Sequence, residues 1–333
     1  MSASSKVTVA QIGVGYWGPN LLRNLVSNGD CTVKTVADLS EERRAFVQGL
    51  YPGVETIEDY RAVLADKDID AVIIATPPHT HFEIAMAALE AGKHILVEKP
   101  MANTVEEVEK IGELASEKGL VAMVGDTFLY NAAVRYLKSY IDSGEAGEVR
   151  YIFSQRVNLG RIRQDVDALW NLAPHDISII QYLLGNPEPV SVSRHGMDYI
   201  QKGVDDLVFM HIQYPEKVVA HIHVSWLDPQ KIRRMTVVGT KKMVIYDDIA
   251  ENKIAIFDKG IEPRAVLGEN MDFDRPDFVV FDYRRGDVLL PKINFTEPLR
   301  VEIEHFLDCI MNGTPCLTDV NHAKGVVRIL SSA

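Results

Sequence analysis

Between residues 7 and 125, short apolar runs alternate with amphipathic stretches. The runs Val7–Val14, Cys31–Ala37, Ala71–Ala75, His94–Val97 and Leu120–Val124 are too short for helices and rich in valine and isoleucine. Such runs predict strands buried on both faces. Helical periodicity fills the gaps near 18–28, 40–50, 58–66, 80–91 and 104–118, with Gly92 and Gly119 placed as helix C-caps. Regular strand–helix alternation predicts a doubly wound parallel sheet.

The pattern changes after Gly144-Glu145-Ala146-Gly147. Strand patterns now follow one another near 148–158, 189–198, 205–214, 217–226, 232–239, 242–247 and 253–257. Val219, His221, His223 and Ser225 alternate with Ala220, Ile222, Val224 and Trp226, which predicts a mostly antiparallel sheet covered on one face. A helix near 174–184 interrupts it, and helices near 297–312 and 319–330 close the chain. The charged, proline-bearing stretch 258–295 reads as a long arm. The expected fold is α/β, with a nucleotide-binding domain over 1–125 and an α+β domain over 126–333 built on a large open sheet.

Composition narrows the function. The chain has 333 residues, 47% hydrophobic and 25% charged, enough for two domains with their own cores. A net charge of −12 argues against nucleic acid or an anionic membrane surface as partner. No apolar run has the length of a membrane span, and Met1-Ser2-Ala3-Ser4-Ser5-Lys6 has no apolar signal region. Cys31, Cys309 and Cys316 show neither a disulfide framework nor a metal-ligand spacing, so a reducing cytoplasm and no metal are expected.

Ile12-Gly13-Val14-Gly15-Tyr16-Trp17-Gly18 follows the first strand and opens a helix. In that context the motif predicts a dinucleotide site. Gly13 makes the turn, Gly15 admits the pyrophosphate, Gly18 allows close helix packing, and Tyr16 and Trp17 stand between. Asp38 ends the second strand, where a carboxylate bonds ribose hydroxyls and repels a 2′-phosphate. NAD is therefore favoured over NADP, with Arg43 and Arg44 keeping NADP as the alternative. Ala75-Thr76-Pro77-Pro78-His79-Thr80-His81 leaves the fourth apolar run. Thr76, Pro77, His79 and His81 join the cofactor candidates. The two histidines lack a carboxylate or cysteine to complete a metal set.

Ile95-Leu96-Val97-Glu98-Lys99-Pro100 carries an apolar strand to a lysine at the sheet edge. An ammonium there can stabilise a developing alkoxide, with Glu98 as its neighbour, and Glu98 and Lys99 also join the cofactor candidates. Trp170-Asn171-Leu172-Ala173-Pro174-His175 introduces a second reactive candidate. If the helix begins before Pro174, Asn171 and His175 share a face; if it begins at Pro174, they need not.

These motifs together resemble the glucose–fructose oxidoreductase and inositol dehydrogenase family (Gfo/Idh/MocA) over essentially the whole chain. The resemblance rests on 13–18, Ala75–His79, Glu98-Lys99-Pro100, the Gly144–Val149 junction and the His175 helix. It implies a Rossmann domain, and a second domain whose sheet makes a homodimer or homotetramer interface. It also implies hydride transfer between nicotinamide and a carbinol carbon of a sugar or cyclitol, with Lys99 and His175 in the active site. Many members carry aspartate where this chain has Asn171. A neutral amide stabilises an imidazolium less, so His175 is expected to stay neutral and accept a proton. Asn171 also resembles the branch that oxidises nucleotide sugars, including UDP-N-acetylglucosamine 3-dehydrogenases. Candidate substrate contacts are Phe128, Asn131, Arg156, Asn158, Arg163, Asp165, Trp170, Asn171 and His175, the arginines suiting a diphosphate. The rival readings are a free inositol or aldose as substrate, a keto-sugar reduced in the opposite direction, and a non-catalytic NAD sensor.

Overall fold

The computed structural model describes residues 6–164, 166–264 and 280–332. Two compact units divide the chain: Met1–Asn131 with Ile177–Gln181 and Thr296–Ser332, and Ala132–Asp176 with Tyr182–Phe295.

The first unit alternates β1 (Val7–Ile12), α1 (Gly18–Ser27), β2 (Cys31–Ala37), α2 (Glu41–Leu50), β3 (Glu55–Ile57), α3 (Tyr60–Ala65), β4 (Ala71–Ile74), α4 (His81–Glu90), β5 (His94–Glu98), α5 (Val105–Lys118) and β6 (Ala122–Gly125). The strands form a six-stranded sheet in the order β3-β2-β1-β4-β5-β6, every pair parallel. The order reverses between β1 and β4, so their C-terminal ends flank the switch point where such sheets bind ligands. Every residue of β4 is buried, each large aliphatic side chain contributing about 1.5–3 kcal/mol. The Thr104–Glu107 capping box starts α5, and Gly119 (φ 64°) ends it in the left-handed conformation.

The second unit opens with α6 (Ala132–Asp142), β7 (Val149–Leu159) and α7 (Ala168–Leu184). It continues through β8 (Ser191–Met197), β9 (Leu207–Gln213), β10 (Val219–Ser225), β11 (Leu227–Gly239), β12 (Met243–Asp247), β13 (Ile254–Arg264) and β14 (Val280–Leu289). Its eight-stranded sheet runs β14-β13-β12-β11-β7-β10-β9-β8, antiparallel except for β7 against β10. Ala220, Ile222 and Val224 point into the core, while His221 on the opposite face is exposed. Part of the arm expected over 258–295 is strand, since β13 extends to Arg264 and pairs with β14; residues 265–279 lie outside the described residues.

α8 (Pro298–Asn312) and α9 (Val320–Ser331) cluster with the first unit, so the second unit does not run to the chain end as the strand pattern suggested. Their apolar faces, with Ile303, Phe306, Leu307, Val326 and Leu330 buried, need a surface to cover them. α9 approaches α5 so closely that a Cβ on Gly112 would fall 2.6 Å from Val320 Cγ1. Cys309 on α8 and Cys316 in the turn before α9 converge with His305, a combination of metal-ligand type that linear spacing did not show. No helix among the described residues is long and apolar enough to cross a membrane.

Candidate active site

Four loops leave the C-terminal ends of β1, β2, β4 and β5. In the first, Gly13 has φ +92°, and a Cβ there would fall 2.6 Å from the Ala75 carbonyl oxygen. A Cβ at Gly18 would lie 2.7 Å from Gly13 O, whereas one at Gly15 would meet no protein atom within 4 Å. Gly13 and Gly18 thus close the turn, and Gly15 faces open space. The buried Gln11 side chain braces the loop by donating from Nε2 to Gly13 O (2.8 Å) and Gly18 O (2.9 Å). This residue was missed in the sequence, where a polar residue late in an apolar strand was the available signal. The first N–H groups of α1 emerge at this loop. Tyr16 is exposed beside it.

The Asp38 carboxylate accepts from Val14 N at 2.7 Å and Ser40 N at 2.8 Å, which fixes it beside the glycine turn. Arg44 donates to Asp38 O and Leu39 O and pairs with Glu58. One of the two cations considered for a 2′-phosphate is therefore engaged locally.

In the β4 loop, Thr80 Oγ1 lies 2.7 Å from Thr76 Oγ1 and 2.8 Å from Pro77 O, and His79 is exposed. His81 is placed differently from the expectation. It is 1% exposed, with Nδ1 2.8 Å from Pro100 O and Nε2 2.8 Å from Thr76 O. Both ring nitrogens lie within hydrogen-bond distance of a carbonyl, and the single N–H of the neutral ring donates to one of them, so buried His81 packs between the β4 loop and the Glu98-Lys99-Pro100 loop instead of lying open to a cofactor. Burial lowers its pKa below the ordinary histidine value.

Lys99 is half-buried just past β5, and its backbone N–H donates to Glu98 Oε2 at 3.3 Å. Burial pushes the Glu98 carboxyl up to about 7, with Asp126 adding to the rise; the Lys99 charge and a hydrogen bond from Trp17 oppose it. Fully buried Glu302, on α8, accepts from Thr127 Oγ1 at 2.9 Å; its carboxyl is also raised by burial and by Glu98. Asp126 Oδ2 lies 3.0 Å from His322 Nε2, which in turn lies 3.0 Å from Ser178 Oγ. A glutamate among the apolar positions of α8 was the only sequence signal for this acidic cluster.

A raised Glu98 pKa carries a pH dependence. The folded chain holds a proton that the unfolded chain releases above 4.5. The resulting stability is complete below 4.5 and is lost as pH rises through about 7. Buried His81, with its lowered pKa, works in the opposite sense, so the test is the difference: the urea midpoint of wild type should lose ground to that of Glu98→Gln as pH rises across this window. Equal slopes in the two proteins would contradict the assignment.

Phe128 and Asn131 follow β6 in the first unit, the former half-buried and the latter buried. In the second unit, α7 begins at Ala168, before Pro174. Asp167 Oδ1 accepts from Trp170 N at 2.8 Å in the manner of an N-cap. Asn171 and half-buried His175 therefore stand one turn apart on a common face. Pro174 sits inside the helix, where it removes one backbone donor. Trp226, only 1% exposed, donates from Nε1 to Asn171 Oδ1 at 3.4 Å. Its carbonyl accepts from Gly160 N at 2.9 Å, and a Cβ at Gly160 would fall 2.9 Å from Asn158 Nδ2. Trp226 thus ties Asn171 to the Gly160 stretch that follows β7, a link unreadable from sequence separation. Trp170 and Arg163 are half-buried, and the Arg163 carbonyl accepts from Gln201 Nε2. Asp165 lies outside the described residues.

Arg156 requires a correction. It is 4% exposed, and its Nε donates to Asp176 Oδ2 at 2.7 Å; Ser154 Oγ donates to Asp176 Oδ1 at 2.6 Å. The guanidinium is spent on a buried carboxylate rather than offered to a diphosphate. Removing either partner of such a pair costs about 3–5 kcal/mol. Since Asp176 follows His175, the pair anchors the stretch of α7 that carries the histidine.

Residues 7–126 match a family model described as an oxidoreductase family with an NAD-binding Rossmann fold, and residues 134–245 match the GFO/IDH/MocA C-terminal domain. The chain belongs to the Gfo/Idh/MocA oxidoreductase family. The scyllo-inositol 2-dehydrogenase (NAD(+)) of Bacillus subtilis is 29% identical over 331 residues, covering 95% of this chain and 90% of that protein. The UDP-N-acetylglucosamine 3-dehydrogenase of Acidithiobacillus ferrooxidans is 28% identical over 256 residues, covering 75% and 76%. A solved structure of the latter enzyme matches with a TM-score of 0.81 at 24% identity, covering 98% of this chain and 96% of that one, a likeness of fold. As a Gfo/Idh/MocA protein, the chain is an NAD-dependent oxidoreductase. The open space at Gly15, the α1 N-terminus and the anchored Asp38 fit the pyrophosphate and ribose of that cofactor.

Proposed function

We propose that the chain transfers a hydride between NAD and a secondary hydroxyl or ketone of a nucleotide-linked sugar. Bound NAD supplies the hydride acceptor or donor. His175 takes the proton of the reacting hydroxyl, and Lys99 hydrogen-bonds the same oxygen as its negative charge develops. Gly13, Gly15, Gly18, Asp38 and the Thr76–His79 loop hold the cofactor, with His81 keeping the lysine loop in place. The observation that carries the substrate class is Asn171, held by Trp226 one helical turn before His175. A neutral amide at 171 puts no negative charge at the position one turn before the imidazole, and the similarity to a UDP-N-acetylglucosamine 3-dehydrogenase supports the same class.

Similarity to an inositol dehydrogenase over nearly the full chain favours a second reading, a free cyclitol. NADH formation with a panel of nucleotide sugars and free polyols separates the two. The nucleotide-sugar reading expects turnover with a UDP-linked sugar and little with inositols; turnover confined to free polyols overturns it.

The outer face of the second unit's sheet exposes Tyr151, Phe153 and Phe209, the last 50% exposed and stacked on His223. An apolar patch of this kind calls for a cover, and a second copy of the chain fills that role in the proposed assembly. Light scattering after size exclusion should report a dimer or tetramer, and Phe209→Glu should shift it toward monomer. A monomeric wild type would contradict this.

A further inference from the structure

We propose that His305, Cys309 and Cys316 form a zinc site that staples α8 to the turn entering α9. His305 and Cys309 lie four residues apart on α8 and therefore share a face. Cys316 returns to them after α8 ends at Gly313, and the three ligand atoms lie within 4.8 Å of one another. Cys309 Sγ and His305 Nε2 are 3.5 Å apart. Zinc bonds of about 2.3 Å to sulfur and 2.0–2.1 Å to nitrogen, at a tetrahedral angle, demand a ligand separation of about that size.

The surroundings hold the set in place. The Tyr130 ring packs on His305 at 5.6 Å, and its hydroxyl lies 3.0 Å from Thr318 Oγ1. Thr318 donates from its hydroxyl to Val124 O at 2.8 Å and accepts Val124 N at 2.9 Å, so the segment after Cys316 is bolted to β6. Leu317 N donates to His305 Nε2 at 3.0 Å. That nitrogen therefore carries no proton, the tautomer that ligation requires; zinc takes the place of the Leu317 amide on its lone pair. Each thiol that binds gives up its proton to solvent. Cys316 is partly exposed, which leaves a side open for water as fourth ligand. A disulfide between the two cysteines would make no use of the imidazole, whereas two sulfurs and a nitrogen match zinc chemistry. The site uses none of the residues assigned to hydride transfer.

The test uses the reduced full-length protein, stripped with a chelator and titrated with Zn(II), then with Co(II) as a spectroscopic probe. One metal per chain, a thiolate-to-cobalt charge-transfer band, a higher unfolding temperature with zinc and zinc protection of both cysteines from alkylation are expected. His305→Asn and Cys316→Ser should weaken zinc binding at least about 100-fold, the upper end of the cost of losing an outer-shell partner. NAD binding and the circular dichroism spectrum should be unchanged. The alkylation arm needs no variant, so a misfolded mutant does not remove the test. Reduced wild-type protein that takes up no zinc, a cobalt spectrum without the thiolate band, or equal alkylation with and without zinc would overturn the site. So would a Cys309–Cys316 disulfide in the isolated protein whose reduction restores no metal uptake.

Discussion

Lys99→Met should lower turnover by about 10²–10³-fold, the usual cost of removing one preorganised donor from a developing oxyanion, while NAD still binds. Methionine keeps most of the stem that fills this half-buried position and loses only the ammonium. The main-chain frame around it stays intact, because the buried His81 ring packs between Pro100 O and Thr76 O and donates its single N–H to one of them whatever the side chain at 99. The loss should therefore fall on kcat, with the NAD dissociation constant within a few-fold of wild type. Fluorescence titration of NAD beside steady-state kinetics makes the comparison. An equal loss in NAD affinity would assign Lys99 to cofactor binding instead of the chemical step, and wild-type turnover would remove it from the site.

His175→Gln should lower turnover by about 10²–10⁴-fold, the range for a positioned proton acceptor. The variant should also lose the acid limb of the kcat profile, since a base is inactive once protonated. That limb separates proton transfer from a packing role, which would lower activity at every pH alike. The helix itself should survive the change: Asp167 caps its start, and Arg156 and Ser154 hold Asp176, the next residue along. A kcat profile that keeps its acid limb in His175→Gln would transfer the role of base elsewhere, first to Lys99.

Much of the fold is written in local patterns. Strands buried on both faces announce themselves as valine and isoleucine runs, and five of the six parallel strands are visible in that way. The sixth, β3, is three residues at the sheet edge, Glu55-Thr56-Ile57, with too little apolar content to show. The dinucleotide loop is legible because its glycines meet local steric demands. Longer-range choices are not. The start of α7 is hidden by Pro174, which reads as a first-turn residue until Asp167 is seen capping seven residues earlier. The affiliation of α8 and α9 depends on which surface their apolar faces meet. Arg156 looks like a substrate cation until the fold supplies Asp176. Cys309 and Cys316 look unrelated until the turn after Gly313 brings them to His305. Apart from the local Asp167 cap, the partner in each case lies on another segment of the chain, and sequence spacing carries no record of it.

The most direct test of the account follows NADH formation by wild type and Lys99→Met over the same panel of nucleotide sugars and polyols, with NAD affinity measured in parallel. Turnover of a UDP-linked sugar by wild type, a loss of about 10²–10³-fold in the variant and retained NAD binding in both are expected. A wild-type protein that binds NAD yet oxidises no alcohol and reduces none of the corresponding ketones would contradict this, and so would a fully active Lys99→Met.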